Sequence, residues 1–114
     1  MKKTIWAKIT SEFEGIHKYP NAPDEVAFLR FDHRHIFHVT VWIEQFHNER
    51  DVEFIMFKRF IEAAIKSSQF PANASCETMS DFLAEKVIKK YTNRRLKIEI
   101  TEDGENGAFV EYNG

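Results

Sequence analysis

From Thr4 to His17 the apolar residues Ile5, Ala7, Ile9 and Phe13 fall on one parity, while Lys8, Thr10 and Glu12 take the other. That alternation predicts a first strand with one buried face. Tyr19-Pro20-Asn21-Ala22-Pro23-Asp24 carries turn chemistry, and a β-rich run from Val26 to Phe46 follows it. Its residues Phe37, Val39, Val41 and Ile43 share a face, so the run predicts a long second strand, antiparallel to the first if a hairpin joins them. After a short extended piece at Asp51 to Phe54, the three-and-four spacing of Met56, Phe57, Phe60, Ile61, Ala64 and Ile65 predicts an amphipathic helix ended by Pro71. A second helix is expected from Glu77 to Tyr91, with Met79, Phe82, Leu83, Val87 and Ile88 inward and Ser75 or Thr78 as N-cap. Leu96, Ile98 and Ile100 alternate in a third strand, and Asp103-Gly104-Glu105-Asn106-Gly107 turns into a fourth, Ala108 to Tyr112. The order ββααββ is that of an α+β fold.

The 114 residues, 43% hydrophobic and 30% charged, suit one globular domain over 1–114, without repeats, low-complexity tracts or an interdomain linker. A domain of this size hides roughly two-thirds of its extended surface and needs no staples. The single Cys76 has no partner for a disulfide within the chain. Sixteen Lys plus Arg against eighteen Asp plus Glu leave a net charge of -2, which speaks against a surface built for nucleic acid. No run approaches the ~20 apolar residues of a membrane span, and Met1-Lys2-Lys3-Thr4 leads into alternation rather than an apolar signal core, so the expected compartment is the cytoplasm. Eleven Phe and two Trp are many large side chains for so small a chain to bury, which favours an oligomer interface or a lined pocket.

Three histidines carry the main chemical signal. His17 shares the parity of Ile5, Ile9 and Phe13, and His33 and His35 share that of Phe37, Val39 and Val41. Residues two apart on a strand project from one face about 7 Å apart, so two imidazoles can converge on an ion and a paired strand can add a third. Three neutral histidines with one open position form the ligand set of a catalytic zinc site. The competing explanation is that each ring packs with a satisfied hydrogen bond. His38, on the opposite parity, and His47, past the strand, stand outside the pattern. Glu102 extends the apolar face of Leu96, Ile98 and Ile100 with a carboxylate. A ligand with adjacent N–H donors, such as the 2-amino-pyrimidine edge of a pterin or guanine, would satisfy it; solvation in the acidic turn with Asp103 and Glu105 is the other possibility.

The successive segments Phe13-Glu14-Gly15-Ile16-His17, His33-Arg34-His35-Ile36-Phe37, Val52-Glu53-Phe54-Ile55-Met56-Phe57-Lys58, Asn73-Ala74-Ser75-Cys76-Glu77 and Ile100-Thr101-Glu102 resemble those of the 6-pyruvoyltetrahydropterin synthase family, which includes the 6-carboxytetrahydropterin synthases of deazapurine biosynthesis. The resemblance runs over nearly the whole chain. It implies a T-fold, zinc held by His17, His33 and His35, a pterin-clamping carboxylate at Glu102, and a pocket segment at Ala74, Ser75, Cys76 and Glu77. It further implies assembly into a homotrimer or homohexamer with pockets at subunit boundaries.

Departures from the family pattern fall on its proton carriers. Where the family has Cys or Glu before the paired zinc histidines, this chain reads Ala27-Phe28-Leu29-Arg30-Phe31-Asp32, and the interval Ser67 to Ala74 lacks the family's Asp-His pair. The reading is therefore a divergent zinc protein for a pterin- or guanine-like ligand, acting either as a lyase or hydrolase with altered proton-transfer residues or as a non-catalytic binding or assembly protein. Asp32, Glu25 and Asp24 are candidate replacement bases, and none is singled out by its spacing. Cys76 fits a small helix-start residue better than a nucleophile, since nothing around it indicates a lowered thiol pKa. Lys86, Lys89, Lys90, Arg94, Arg95 and Lys97 fit cations at a helix C-terminus on a solvated face.

Overall fold

The computed structural model describes residues 1–113. Strands β1 (Ile5–His17), β2 (His33–Gln45), β3 (Arg95–Glu102) and β4 (Asn106–Asn113) form one antiparallel sheet in that spatial order. Helices α1 (Phe54–Ser68) and α2 (Cys76–Lys90) lie between β2 and β3 in sequence and pack on one side of the sheet. The protein is thus α+β.

The buried face follows the predicted parity. Phe37, Val39, Val41 and Ile43 of β2 are fully buried, as are Ile98 and Ile100 of β3, with Ala7 and Ile9 of β1 beside them. Phe57, Ile61 and Ala64 of α1 and Met79, Leu83, Ala84 and Val87 of α2 cover this face, three to four residues apart as an amphipathic helix requires. Ser80 is also fully buried, and its hydroxyl lies 2.8 Å from that of Tyr112, which donates to Asp81 at 2.7 Å and ties β4 to α2. Among the described residues no helix is long and apolar enough to cross a membrane.

Several boundaries differ from the sequence expectation, among them that of β4, which starts at Asn106 rather than Ala108 because Asn106 and Gly107 already pair with Glu102 and Thr101. The second strand starts at His33 rather than Val26, because residues Asp24–Arg30 form a short 3-10 helix. The Arg30 guanidinium returns to the Asp24 carboxylate at 2.5 Å and the Ala22 carbonyl at 3.0 Å, while Tyr19 N–H donates to Leu29 O at 2.7 Å. A strand also needs a partner, and β1 ends opposite His33. Helix α1 starts at Phe54, not after an extended piece, because the Glu53 carboxylate accepts the N–H groups of Ile55 (2.8 Å) and Met56 (3.2 Å). Helix α2 begins at Cys76 with Ser75 as its N-cap, the Ser75 hydroxyl accepting Thr78 N–H at 3.1 Å.

Away from His17, His33 and His35, Asp51 knots the end of the sheet. Its carboxylate accepts the Phe46 N–H at 2.8 Å and an Arg94 N–H at 2.7 Å, and Arg94 also donates to Glu44 O at 3.0 Å. These hydrogen bonds, that from Arg94 foremost, pull the Asp51 pKa from 3.8 to about 2, against the opposing effect of burial. A depressed carboxylate contributes stability above its unfolded pKa and loses it as pH falls toward the folded one. Asp51→Asn should therefore destabilise the fold by about 1–3 kcal/mol at pH 7 through the donors left unpaired. In urea titrations the gap between the two proteins should be full above about pH 5 and should close as the pH approaches 2.

Candidate metal centre

The β1–β2 register places His17 opposite His33 and Gly15 opposite His35. All three imidazoles stand on the helix-facing side, at the end of the ribbon that runs past β3. Their ring centroids are 4.6 Å (His17–His33), 4.9 Å (His33–His35) and 5.2 Å (His17–His35) apart. Phe37 forms the floor, meeting His17 and His35 edge-on at 5.2 and 5.7 Å. Gly15 makes room for that ring, since a Cβ there would lie 3.0 Å from Phe37 Cε2.

Each ring is held through the same nitrogen. His17 Nδ1 donates to Ala74 O at 3.1 Å, His33 Nδ1 to Phe31 O at 2.9 Å, and His35 Nδ1 to the Asp103 carboxylate at 2.7 Å. A carbonyl or carboxylate oxygen can only accept, so each Nδ1 carries the proton and each Nε2 of the neutral ring presents a lone pair. This arrangement, with the second nitrogen tied to a carbonyl or carboxylate, is the usual support of a metal-ligating histidine.

Glu102 joins from the end of β3, opposite Phe37 in the register. Its Oε2 lies 2.8 Å from His17 Nε2 and 3.3 Å from His35 Nε2. Neither contact has hydrogen-bond geometry, and both nitrogens are buried without a hydrogen-bond partner. Lone pairs facing a carboxylate at these distances need a cation, and the poor alignment suits a metal better than a proton, which requires a nearly linear N–H···O. One donor atom from each of His17, His33, His35 and Glu102 lies within 4.8 Å of each of the others, and the four can hold a metal ion. Tetrahedral bonds of about 2.0–2.2 Å set ligand–ligand separations of ~3.4 Å, which the contacts of Glu102 with His17 and His35 approximate.

A cleft of about 460 Å³ adjoins the cluster, and His17, His33 and Glu102 line it together with Ser75, Cys76 and Glu77. The structure thus brings the four expected pocket residues beside two of the histidines. The Ser75 hydroxyl is engaged in capping α2. Cys76 is buried at the first turn of α2, and desolvation first, then the Glu102 and Glu77 charges, push its thiol pKa up to about 12. Such a thiol stays protonated at neutral pH. Asp24, Glu25 and Asp32 are exposed and none lines the cleft. Arg34 points to the opposite face of the sheet and pairs with Glu14 at 2.8 Å. His38 and His47 stand outside the cluster, 3.5 Å from Glu12 and Asp51 respectively.

Asp103 is the site residue that the pattern did not reveal. Besides orienting His35, its Oδ1 accepts Ile36 N–H at 2.9 Å and its own N–H donates to Ile36 O at 2.7 Å, so it clamps the β3 end to β2. Asp103 and Gly104 both have positive φ, 57° and 73°, as the tight turn into β4 requires. The Asp-Gly pair was legible as a turn, but the direction of the carboxylate was not.

Comparison with protein-family models finds no match, and no curated protein matches the chain.

Removing an outer carboxylate of this kind lowers metal affinity roughly 10–100-fold. Asp103→Ala should show that loss in a competition titration against a chromophoric chelator, whereas Glu14→Ala, on the other face, should leave metal affinity unchanged.

Proposed function

We propose that this chain is a divergent T-fold protein of the 6-pyruvoyltetrahydropterin synthase type, which binds zinc and receives a pterin- or guanine-like ring in the adjoining cleft. The observation that carries the reading is the set of three Nδ1-anchored imidazoles and one carboxylate around two orphaned, buried Nε2 atoms. Imidazole suits zinc among the common divalent ions, and three histidines with a further position are a donor set of its tetrahedral sites. The order of β1, β2, α1, α2, β3 and β4 and the single helix-covered face support the fold assignment.

On this reading His17, His33 and His35 hold the ion, and the Glu102 carboxylate accepts two N–H groups from the amino-pyrimidine edge of the ring. Bound zinc supplies Lewis acidity toward an oxygen of the ring's side chain. Proton transfer needs a positioned group of suitable pKa, and here a specific observation favours the non-catalytic alternative: the Cys76 thiol is held protonated, and Asp24, Glu25 and Asp32 do not line the cleft. A binding or assembly protein on the same fold needs no such group.

Elemental analysis of protein purified without chelator should give one zinc per chain, and the double variant His33→Ala, His35→Ala should lose it. Retained stoichiometry in that variant would refute the assignment. In metal-free protein, Glu102→Gln should weaken binding of pterin or guanine in calorimetry by roughly five- to 150-fold, the equivalent of about 1–3 kcal/mol for a buried donor facing a donor.

Among the described residues, the outer edges of β1 and β4 carry no partner strand. Phe28 and Phe31, 70% and 73% exposed, add apolar surface near the histidine end. Unpaired edges and exposed aromatics together support a closed homo-oligomer. Light scattering at micromolar concentration should give the mass of a trimer or hexamer; a stable monomer would contradict the assembly.

A further inference from the structure

We propose that Glu102 is itself the fourth protein ligand of the metal, so that the centre is closed when the cleft holds no guest. The inference rests on the metal reading above and goes beyond it, since three histidines alone would leave a coordination position open to solvent. Glu102 Oε2 sits 2.8 Å from His17 Nε2 and 3.3 Å from His35 Nε2, nearer to both nitrogens than a carboxylate serving only an incoming ring needs to be. Its placement is built in from both sides. Asp103 fixes the backbone immediately after it through two bonds to Ile36, and the same Asp103 carboxylate orients His35. Across the hairpin, Gly107 lets β4 approach so closely that a Cβ there would lie 2.0 Å from Ile100 O. Glu102 therefore has its backbone held while its side chain, 26% exposed, stays at the mouth of the cleft.

Two consequences follow from the chemistry. Four protein donors around one tetrahedral ion exclude water, which is the arrangement of structural rather than catalytic sites. A carboxylate oxygen bound to metal also cannot accept an N–H from a ring, so metal ligation and ring recognition by Glu102 oppose one another. A guest that pairs with Glu102 opens the metal, and by linkage it weakens metal affinity by the same factor that metal weakens its own.

The test uses the full chain loaded with Co(II), whose visible spectrum reports its ligands, and azide as a probe of an open position. Wild type should bind one Co(II) and show no spectral response to azide, whereas Glu102→Ala should respond. Glu102→Gln should lower Co(II) affinity by more than Asp103→Ala, that is, beyond roughly 10–100-fold. If wild type responds to azide as strongly as Glu102→Ala, Glu102 is not a ligand and the inference falls while the three-histidine centre stands. If wild type takes up no Co(II), the metal reading fails and this inference with it. The azide response of wild type decides the matter even if a Glu102 variant does not fold.

Discussion

The pairing register of β1 with β2 is the constraint on which the rest depends. His17 faces His33 because Phe13 faces Phe37, Ile9 faces Val41 and Ala7 faces Ile43 in the same ladder. Slipping β2 by one residue would turn Phe37, Val39, Val41 and Ile43 to the polar face and carry His33 and His35 with them. Burying each such side chain contributes about 1.5–3 kcal/mol, so the slip would cost on the order of 6–12 kcal/mol. That is comparable with the whole stability of a small domain, about 5–15 kcal/mol. The packing that holds the core therefore also holds the imidazoles, and no separate device is needed to bring them together.

Without a cation the same arrangement is unfavourable. Two buried nitrogens without hydrogen bonds stand against a carboxylate oxygen, while the Nδ1 of each ring is engaged by an acceptor of its own. The acceptors come from three different places: the loop between α1 and α2 for His17, the segment before β2 for His33, and the β3–β4 turn for His35. A cation bound here would thus draw on most of the fold, and a ligand that binds only the folded state stabilises it by mass action. Metal binding and the closure of these loops would be coupled through the ring orientations, which is why Asp103 and the Ala74 carbonyl belong to the site.

Much of this was legible in the residues, and the illegible part has a common cause. Parity alone put His17, His33, His35 and Glu102 on the inner face, and all four meet there. Parity did not choose for Glu102 between solvent, a ring and the histidines, because that depends on how far β3 runs along β2; the observed register ends with Glu102 opposite Phe37. The residues from Val26 to Phe31 have strand-forming composition, yet Asp24–Arg30 close into a 3-10 turn, since β propensity expresses itself only where a neighbouring strand supplies hydrogen bonds. The Nδ1 acceptors at Ala74 and Phe31 are backbone carbonyls, and no side-chain identity marks which way a carbonyl points. Glu53 as the start of α1 escaped for a related reason: it is an acidic residue of ordinary appearance whose capping role comes from its φ and ψ of −76° and 125°.

The electrostatics of the cleft bear on whether such a site turns over a substrate or holds one. A nucleophile or base must exchange a proton near neutral pH, and Cys76 is driven the other way by burial and by the two carboxylates beside it. Those carboxylates have other roles available: Glu102 faces the histidines, and Glu77 sits in the first turn of α2, where an anion is favoured by the helix dipole. Of the groups that could carry a proton, Asp24, Glu25 and Asp32 do not line the cleft, and Cys76, which does, is held protonated by its burial and by the neighbouring carboxylates.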